Sequence, residues 1–255
     1  MADGDYERGR GREIGAIAAE LKRLAAVREA RPPVFVLNGW AASPHAWDLC
    51  QFTRTRLFSY VEQLDGEPEK AMESVPRCIL VGWSMGGSSA LRLVAHWPEK
   101  IAGLVLIAAT PRMMEEKETG WRGMSPRRLE ALRYGVMMTH GEGFFGVPEG
   151  KPNPYSVDSD ENLARGLKYL LETDVRAGLE RALGSGFAFP VHIFHSERDG
   201  IVQPENAVYL QNAFPQASVT MIPGTEHALS IFIPELIDEA VDSCIRLAAA
   251  GQDIA

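Results

Sequence analysis

The 255-residue sequence predicts an α/β fold: a mostly parallel sheet flanked by helices, with a helical segment inserted late in the sheet. Three observations carry that expectation. Short apolar runs at 34–37, 57–64, 79–81, 104–108, 191–194 and 219–222 read as strands buried on both faces, where the polar alternation of a half-exposed strand is lost. The stretches between the first four runs are helical or loop-like, as crossover connections require. Between residues 111 and 189 the strand signal lapses into helical patterns at 127–138 and 161–183, separated by a Pro/Gly-rich loop at 146–154.

These boundaries divide the chain into an N-terminal extension (1–33), a core built from 34–110 and 190–255, and a helical lid (111–189). In the extension, Ile14, Ile17, Leu21 and Leu24 form one helical stripe over 12–29, with charges of both signs elsewhere; this pattern fits a helix packed on a domain surface. A closing helix is expected over 235–249.

Composition excludes several classes. Hydrophobic residues make up 45% and charged residues 24%, and the net charge of −8 gives no general attraction to nucleic acid. No apolar stretch has signal-peptide or membrane-spanning length, so a cytoplasmic protein without membrane attachment is expected, and a monomer. Cys50, Cys78 and Cys244 are odd in number and lack metal-ligand spacing, which fits reduced thiols.

The stretch Gly82-Trp83-Ser84-Met85-Gly86, after the run at 79–81, reads as a strand-to-helix turn that lifts Ser84 above the sheet edge. Glycines on both sides remove Cβ atoms that would clash there. Residues 88–95 contain no proline and keep Leu91, Val94 and Ala95 at helical spacing, so the required helix follows.

A serine hydroxyl needs a base, and the base an orienting carboxylate. Asp199, in an Asp-Gly turn after the 191–194 strand, and His227, in the loop after 219–222, stand where ligands and catalytic groups gather in open parallel sheets. Glu197 is the rival acid. Of the other histidines, His45 lies in a loop that could approach the site, His96 at a helix end, His192 within a strand, His195 beside the acid turn and His140 in the lid; structural roles suit them better. The chain order Ser84, Asp199, His227 is that of α/β-hydrolases. The developing oxyanion needs preorganised donors. The Met85 N–H is one candidate, and the loop 37–42 offers the other, where Gly39 permits close backbone approach and Trp40 can point its N–H into the site or pack as a half-buried aromatic.

On these residues the chain resembles the α/β-hydrolases, and within them the pimeloyl-acyl carrier protein methyl ester esterases. Asn38-Gly39-Trp40 with Trp47, Gly82 to Gly87, Ala108 to Arg112 with Gly120 to Ser125, and Leu171 to Arg176 are similar to that family's oxyanion loop, elbow, lid entry and lid exit. Asn38 stands where the family usually has histidine, and the stretch between Trp47 and Ile79 is short. The resemblance implies a serine carboxylesterase acting on a methyl ester carried by acyl carrier protein in biotin synthesis, with no metal or organic cofactor. The expected substrate contacts are Trp40, Met85 and Phe144; Phe144 and Phe145 line an acyl channel or pack the lid on the core. Arg122, Arg127, Arg128 and Arg133 fall within twelve residues that hold one acidic group, Glu130, and form either a carrier-docking edge or a solvated helix face. The alternatives are a general short-chain carboxylesterase or thioesterase and, in another class, a low-turnover binding protein on a hydrolase scaffold.

Overall fold

A computed structural model describes residues 31–139, 150–155, 158–186, 188–224 and 226–250. The chain divides into two compact units, Met1–Pro32 and Pro33–Ala255, and the helix expected over 12–29 lies outside the described residues.

Among the described residues of the second unit, six strands form one sheet in the order β2-β1-β3-β4-β5-β6. They are β1 (Val34–Leu37), β2 (Thr55–Phe58), β3 (Cys78–Trp83), β4 (Ile101–Ile107), β5 (Val191–Ser196) and β6 (Ser218–Ile222), and every adjacent pair is parallel. The central strands β3 and β4 are buried at every position, which explains their unbroken apolar sequences.

The run at 57–64 proves to be two elements. β2 ends at Phe58 and helix α1 (Tyr60–Leu64) begins directly after it. The Ser59 hydroxyl accepts the Glu62 N–H at 3.2 Å, while the Glu62 carboxylate accepts the Ser59 N–H at 2.8 Å. This capping box starts a helix inside an apolar run. Helix α2 (Glu67–Glu73) leads on to β3, and helix α3 (Met85–His96) leaves β3 at the turn around Ser84.

Between β4 and β5 lie helices α4 (Pro126–Thr139), α5 (Asp160–Glu172) and α6 (Arg176–Gly184). The single helical pattern expected over 161–183 is broken at Thr173, whose extended backbone (ψ 122°) ends α5. Asp174 then accepts the Arg176 N–H at 3.2 Å as α6 starts. Helix α7 (Glu205–Ala213) follows β5, and helix α8 (Pro234–Ala249) follows β6.

Apolar side chains of α3, α6 and α7 cover one face of the sheet, and those of α8 cover the other. A third cluster lies under the β4–β5 insertion, where Leu163, Leu167 and Leu170 of α5 meet Met85, Met113 and Val202. The ends of the insertion are stitched together. Val175 N–H donates to the Pro111 carbonyl at 3.0 Å, Arg112 pairs with Asp174 at 2.8 Å, and Arg176 bridges Asp174 and Glu116 at 2.7 and 3.0 Å.

Two expectations follow. A Cβ on Gly86 would run into the Leu37 carbonyl of β1. Gly86→Ala should therefore destabilise the protein by at least ~1–3 kcal/mol, the usual cost of overpacking, read as a lower Tm. The Arg176 and Arg112 guanidinium groups hold the Asp174 carboxyl down at about 2 from an ordinary value of 3.8. A depressed carboxyl contributes stability above its unfolded pKa and loses it as pH falls through the folded one. The Tm deficit of Asp174→Asn relative to wild type should thus be full at neutral pH and shrink between about pH 4 and pH 2, as thermal melts across that range would record.

Candidate active site

Three loops at the C-terminal ends of parallel strands bring the site together. Ser84, between β3 and α3, has φ 56° and ψ −118°, a strained backbone for a non-glycine residue. The turn is tight enough that a Cβ on Gly82 would stand 2.5 Å from the Gly86 carbonyl oxygen, so the flanking glycines are steric requirements.

His227 follows β6, and its Nε2 lies 2.9 Å from Ser84 Oγ. Its Nδ1 lies 2.8 Å from Asp199 Oδ2. An ionised carboxylate only accepts, so Nδ1 carries the hydrogen and Nε2 is left to accept from the serine hydroxyl. Asp199 Oδ1 accepts the N–H groups of Ile201 and Val202 at 2.7 and 3.1 Å, which fixes the carboxylate in its turn. All three side chains are buried. Ser84, His227 and Asp199 thus form one continuous hydrogen-bonded chain, with water largely excluded.

The rival groups lie elsewhere. Glu197 is exposed, and His45 pairs with Asp48 on the surface at 2.8 Å. His96 is exposed at the end of α3, beside the Arg92 carbonyl at 2.9 Å, and His192 is only half-buried. His195 is buried, with Nε2–H donating to the Val202 carbonyl at 3.0 Å; burial lowers its pKa, so it serves as a neutral brace of the acid turn. His140, Phe144 and Phe145 lie outside the described residues.

The Met85 N–H, at the first position of α3, has no intrahelical acceptor and stands beside Ser84. Trp40 lines the same cavity, but its indole N–H is not directed at the serine: it donates to the Leu163 carbonyl of α5 at 3.1 Å. The Trp40 indole is thus engaged by α5, which leaves the Trp40 backbone amide as this loop's remaining candidate for an oxyanion donor. That amide belongs to a loop held from below by two buried side chains. Gln63 Nε2 donates to the Asn38 carbonyl at 2.9 Å, and Asn38 Nδ2 donates to the Ser43 carbonyl at 3.0 Å while its Oδ1 accepts from Trp47 Nε1 at 3.0 Å.

Trp83 has a supporting role that its sequence position did not reveal. Its Nε1–H donates to the His227 carbonyl at 2.9 Å, fixing the loop that carries the imidazole, and its ring packs on Gly39. The remaining cavity beside Ser84 has a volume of about 30 Å3 and is walled by Met113, Leu129, Leu132, Val136, Tyr155 and Leu170, all apolar or aromatic. Among the described residues no cluster of His, Cys, Asp and Glu could hold a metal ion, and no helix is long and apolar enough to cross a membrane.

The four arginines are less uniform than their spacing suggests. Arg122 pairs with Glu205 at 2.6 Å, and Arg133 with Glu130 and Asp160. Arg128 reaches the Gly200 carbonyl at 2.7 Å, and Arg127 is exposed. Acidic residues distant in sequence thus offset part of the local positive charge.

Comparison with known proteins gives concordant results. The chain is 25% identical to a pimeloyl-[acyl-carrier protein] methyl ester esterase of Nitrosospira multiformis, over 85% of this chain and 94% of that protein. It is 23% identical to the protein of the same description from Yersinia pseudotuberculosis, over 78% and 87% of the two chains. An esterase of Exiguobacterium antarcticum superposes with a TM-score of 0.63 at 17% identity, covering 84% of this chain and 92% of that one. A bromoperoxidase of Bacillus anthracis gives 0.63 at 19% identity, covering 85% and 92%; both structures speak to the fold alone. Residues 56–231 match the family described as serine aminopeptidase, S33, and the chain belongs to that family of α/β-hydrolases.

Proposed function

We propose that this hydrolase is a serine esterase whose substrate is the methyl ester of a pimeloyl chain carried on acyl carrier protein. The observation that supports the chemistry most directly is the Ser84–His227–Asp199 chain, with links of 2.9 and 2.8 Å.

In this reading Ser84 Oγ attacks the ester carbonyl while His227 Nε2 takes its proton, and Asp199 stabilises the imidazolium through Nδ1–H. The tetrahedral oxyanion accepts from the backbone N–H groups of Met85 and Trp40. Collapse expels methanol, which takes the proton from His227. A water deprotonated by the same imidazole then cleaves the acyl-enzyme, releasing the chain with a free carboxylate at one end and its carrier thioester intact at the other, and the imidazolium returns its proton to Ser84 Oγ. Each step moves a proton or an acyl group that these side chains handle themselves. The apolar cavity wall suits a methylene chain.

The choice of substrate is supported by the names of the relatives and by the outer surface of α4. Arg127 and Arg128 are exposed there, as are Tyr134 and Met138 further along the helix, so α4 offers cationic and apolar contacts to an acidic carrier and its phosphate. Arg122 and Arg133 join this edge by exchanging exposed ion pairs, which are worth little in water. A carrier-dependent role in biotin synthesis places the enzyme in the cytoplasm.

Two tests address the two halves of the reading. Incubation with a fluorophosphonate probe should label wild type and leave Ser84→Ala unlabelled; equal behaviour of the two would remove the nucleophile assignment. With methyl pimeloyl carrier protein as substrate, free carboxylate and methanol should appear while the thioester stays intact. On that substrate Arg127→Glu/Arg128→Glu should lose roughly tenfold in kcat/KM, about 1.4 kcal/mol, with a weaker salt dependence. Preferential thioester cleavage would replace the esterase reading with a thioesterase.

A further inference from the structure

The segment between β4 and β5 does more than cover the serine. The loop 38–43, which carries the Trp40 amide, is gripped from two sides. The core holds it through Gln63, while Asn38 bonds across the loop to the Ser43 carbonyl. The insertion holds it through the Ser43 N–H, which donates to the Pro154 carbonyl at 2.8 Å, and through the Trp40 indole N–H on the Leu163 carbonyl at 3.1 Å. Within the loop, Ala41 has φ 54°, a left-handed conformation that persists only when its surroundings hold it.

Gly166 marks where α5 meets the indole. Glycine is a poor helix former relative to alanine, and this one sits inside α5 on its buried face with Leu163, Leu167 and Leu170. A Cβ there would stand 2.8 Å from Trp40 Nε1, closer still to Cδ1, and 3.3 Å from the Tyr60 ring. Tyr60 Oη in turn donates to Asp158, just before α5, at 2.8 Å. The absent side chain is therefore a socket for the Trp40 ring.

We propose that α5 positions the oxyanion hole, with Gly166 and the Leu163 carbonyl setting the Trp40 side chain and, through it, the Trp40 amide. This rests on the reading of Ser84 as nucleophile and of that amide as an oxyanion donor. Gly166 is a positioning residue: it touches neither substrate nor the reacting atoms. Seating of α5 and the placement of the Trp40 amide are thereby coupled.

The test uses the full chain, p-nitrophenyl acetate as a small substrate and an alkylboronic acid as an inhibitor that bonds to Ser84 and places an oxygen in the oxyanion hole. Gly166→Ala should lower kcat by roughly 10- to 100-fold, as displacement of a catalytic group by a fraction of an ångström does, with KM within about twofold. Trp40→Phe keeps the ring packing and removes the N–H, and should lower kcat by about 3- to 10-fold. In both, the boronic acid Ki should rise in step with the loss in kcat. Gly184→Ala, the same change in α6 at a position with nothing within 4 Å of the new methyl group, should match wild type. Unchanged kcat and Ki in Trp40→Phe and Gly166→Ala, or a loss confined to KM, would overturn the proposal. If Gly166→Ala is insoluble, the Trp40→Phe result alone decides. Wild type that fails to cleave the ester, or Ser84→Ala that still cleaves it, would overturn the serine esterase reading and this inference with it, whereas an active wild type with indifferent variants overturns only the inference.

Discussion

The site depends on how closely helix α3 can approach the end of β1. At Gly86 the two backbones pass with no room for a side chain, and that contact sets the height at which Ser84 leaves the sheet. Everything else at the site is measured from that point. The Met85 amide inherits its direction from the first turn of the same helix, and His227 must reach a hydroxyl whose place is already determined. The unfavourable backbone of Ser84 is held by its surroundings: its N–H is bonded to the Ile107 carbonyl of β4, and its carbonyl accepts from Gly87 and Ser88.

Around that fixed point, buried polar side chains act as spacers between loops. Trp83 ties the elbow to the His227 loop, His195 braces the acid turn through Val202, and Asn38 and Gln63 shape the loop on the far side of the serine. Each spends hydrogen bonds on backbone carbonyls and so converts a flexible connection into a rigid one. The ionic cluster of Arg112, Glu116, Asp174 and Arg176 does the same for the two ends of the insertion, at the surface and with charges in place of amides.

Much of this was legible in the sequence because strands and chemistry coincide. Ser84, Asp199 and His227 each follow an apolar run, and the C-terminal ends of parallel strands converge in space whatever their separation along the chain. The capping box at Ser59 and Glu62 was also written in the sequence, but the apolar run through 57–64 masked it. The break at Thr173 to Val175 was harder, since it follows from Asp174 meeting Arg112 sixty-two residues away. Trp40 shows the limit most clearly. Its place in the loop was readable, while the fate of its indole N–H depended on α5, a helix 123 residues downstream. The partial neutralisation of the arginine edge by Glu205 and Asp160 is of the same kind, because local spacing cannot count charges that arrive through the fold.

The hydrogen bond between Ser84 and His227 joins residues 143 positions apart, across a sheet in which β3 and β6 are separated by two other strands. Contacts of such long sequence separation carry a loop-closure cost that must be met before the contact repays it. A chain holding only β1 to β4 would carry the Ser84 hydroxyl without the imidazole that accepts from it. The Ser84 hydroxyl gains that acceptor only when the loop after the last strand of the sheet is in place.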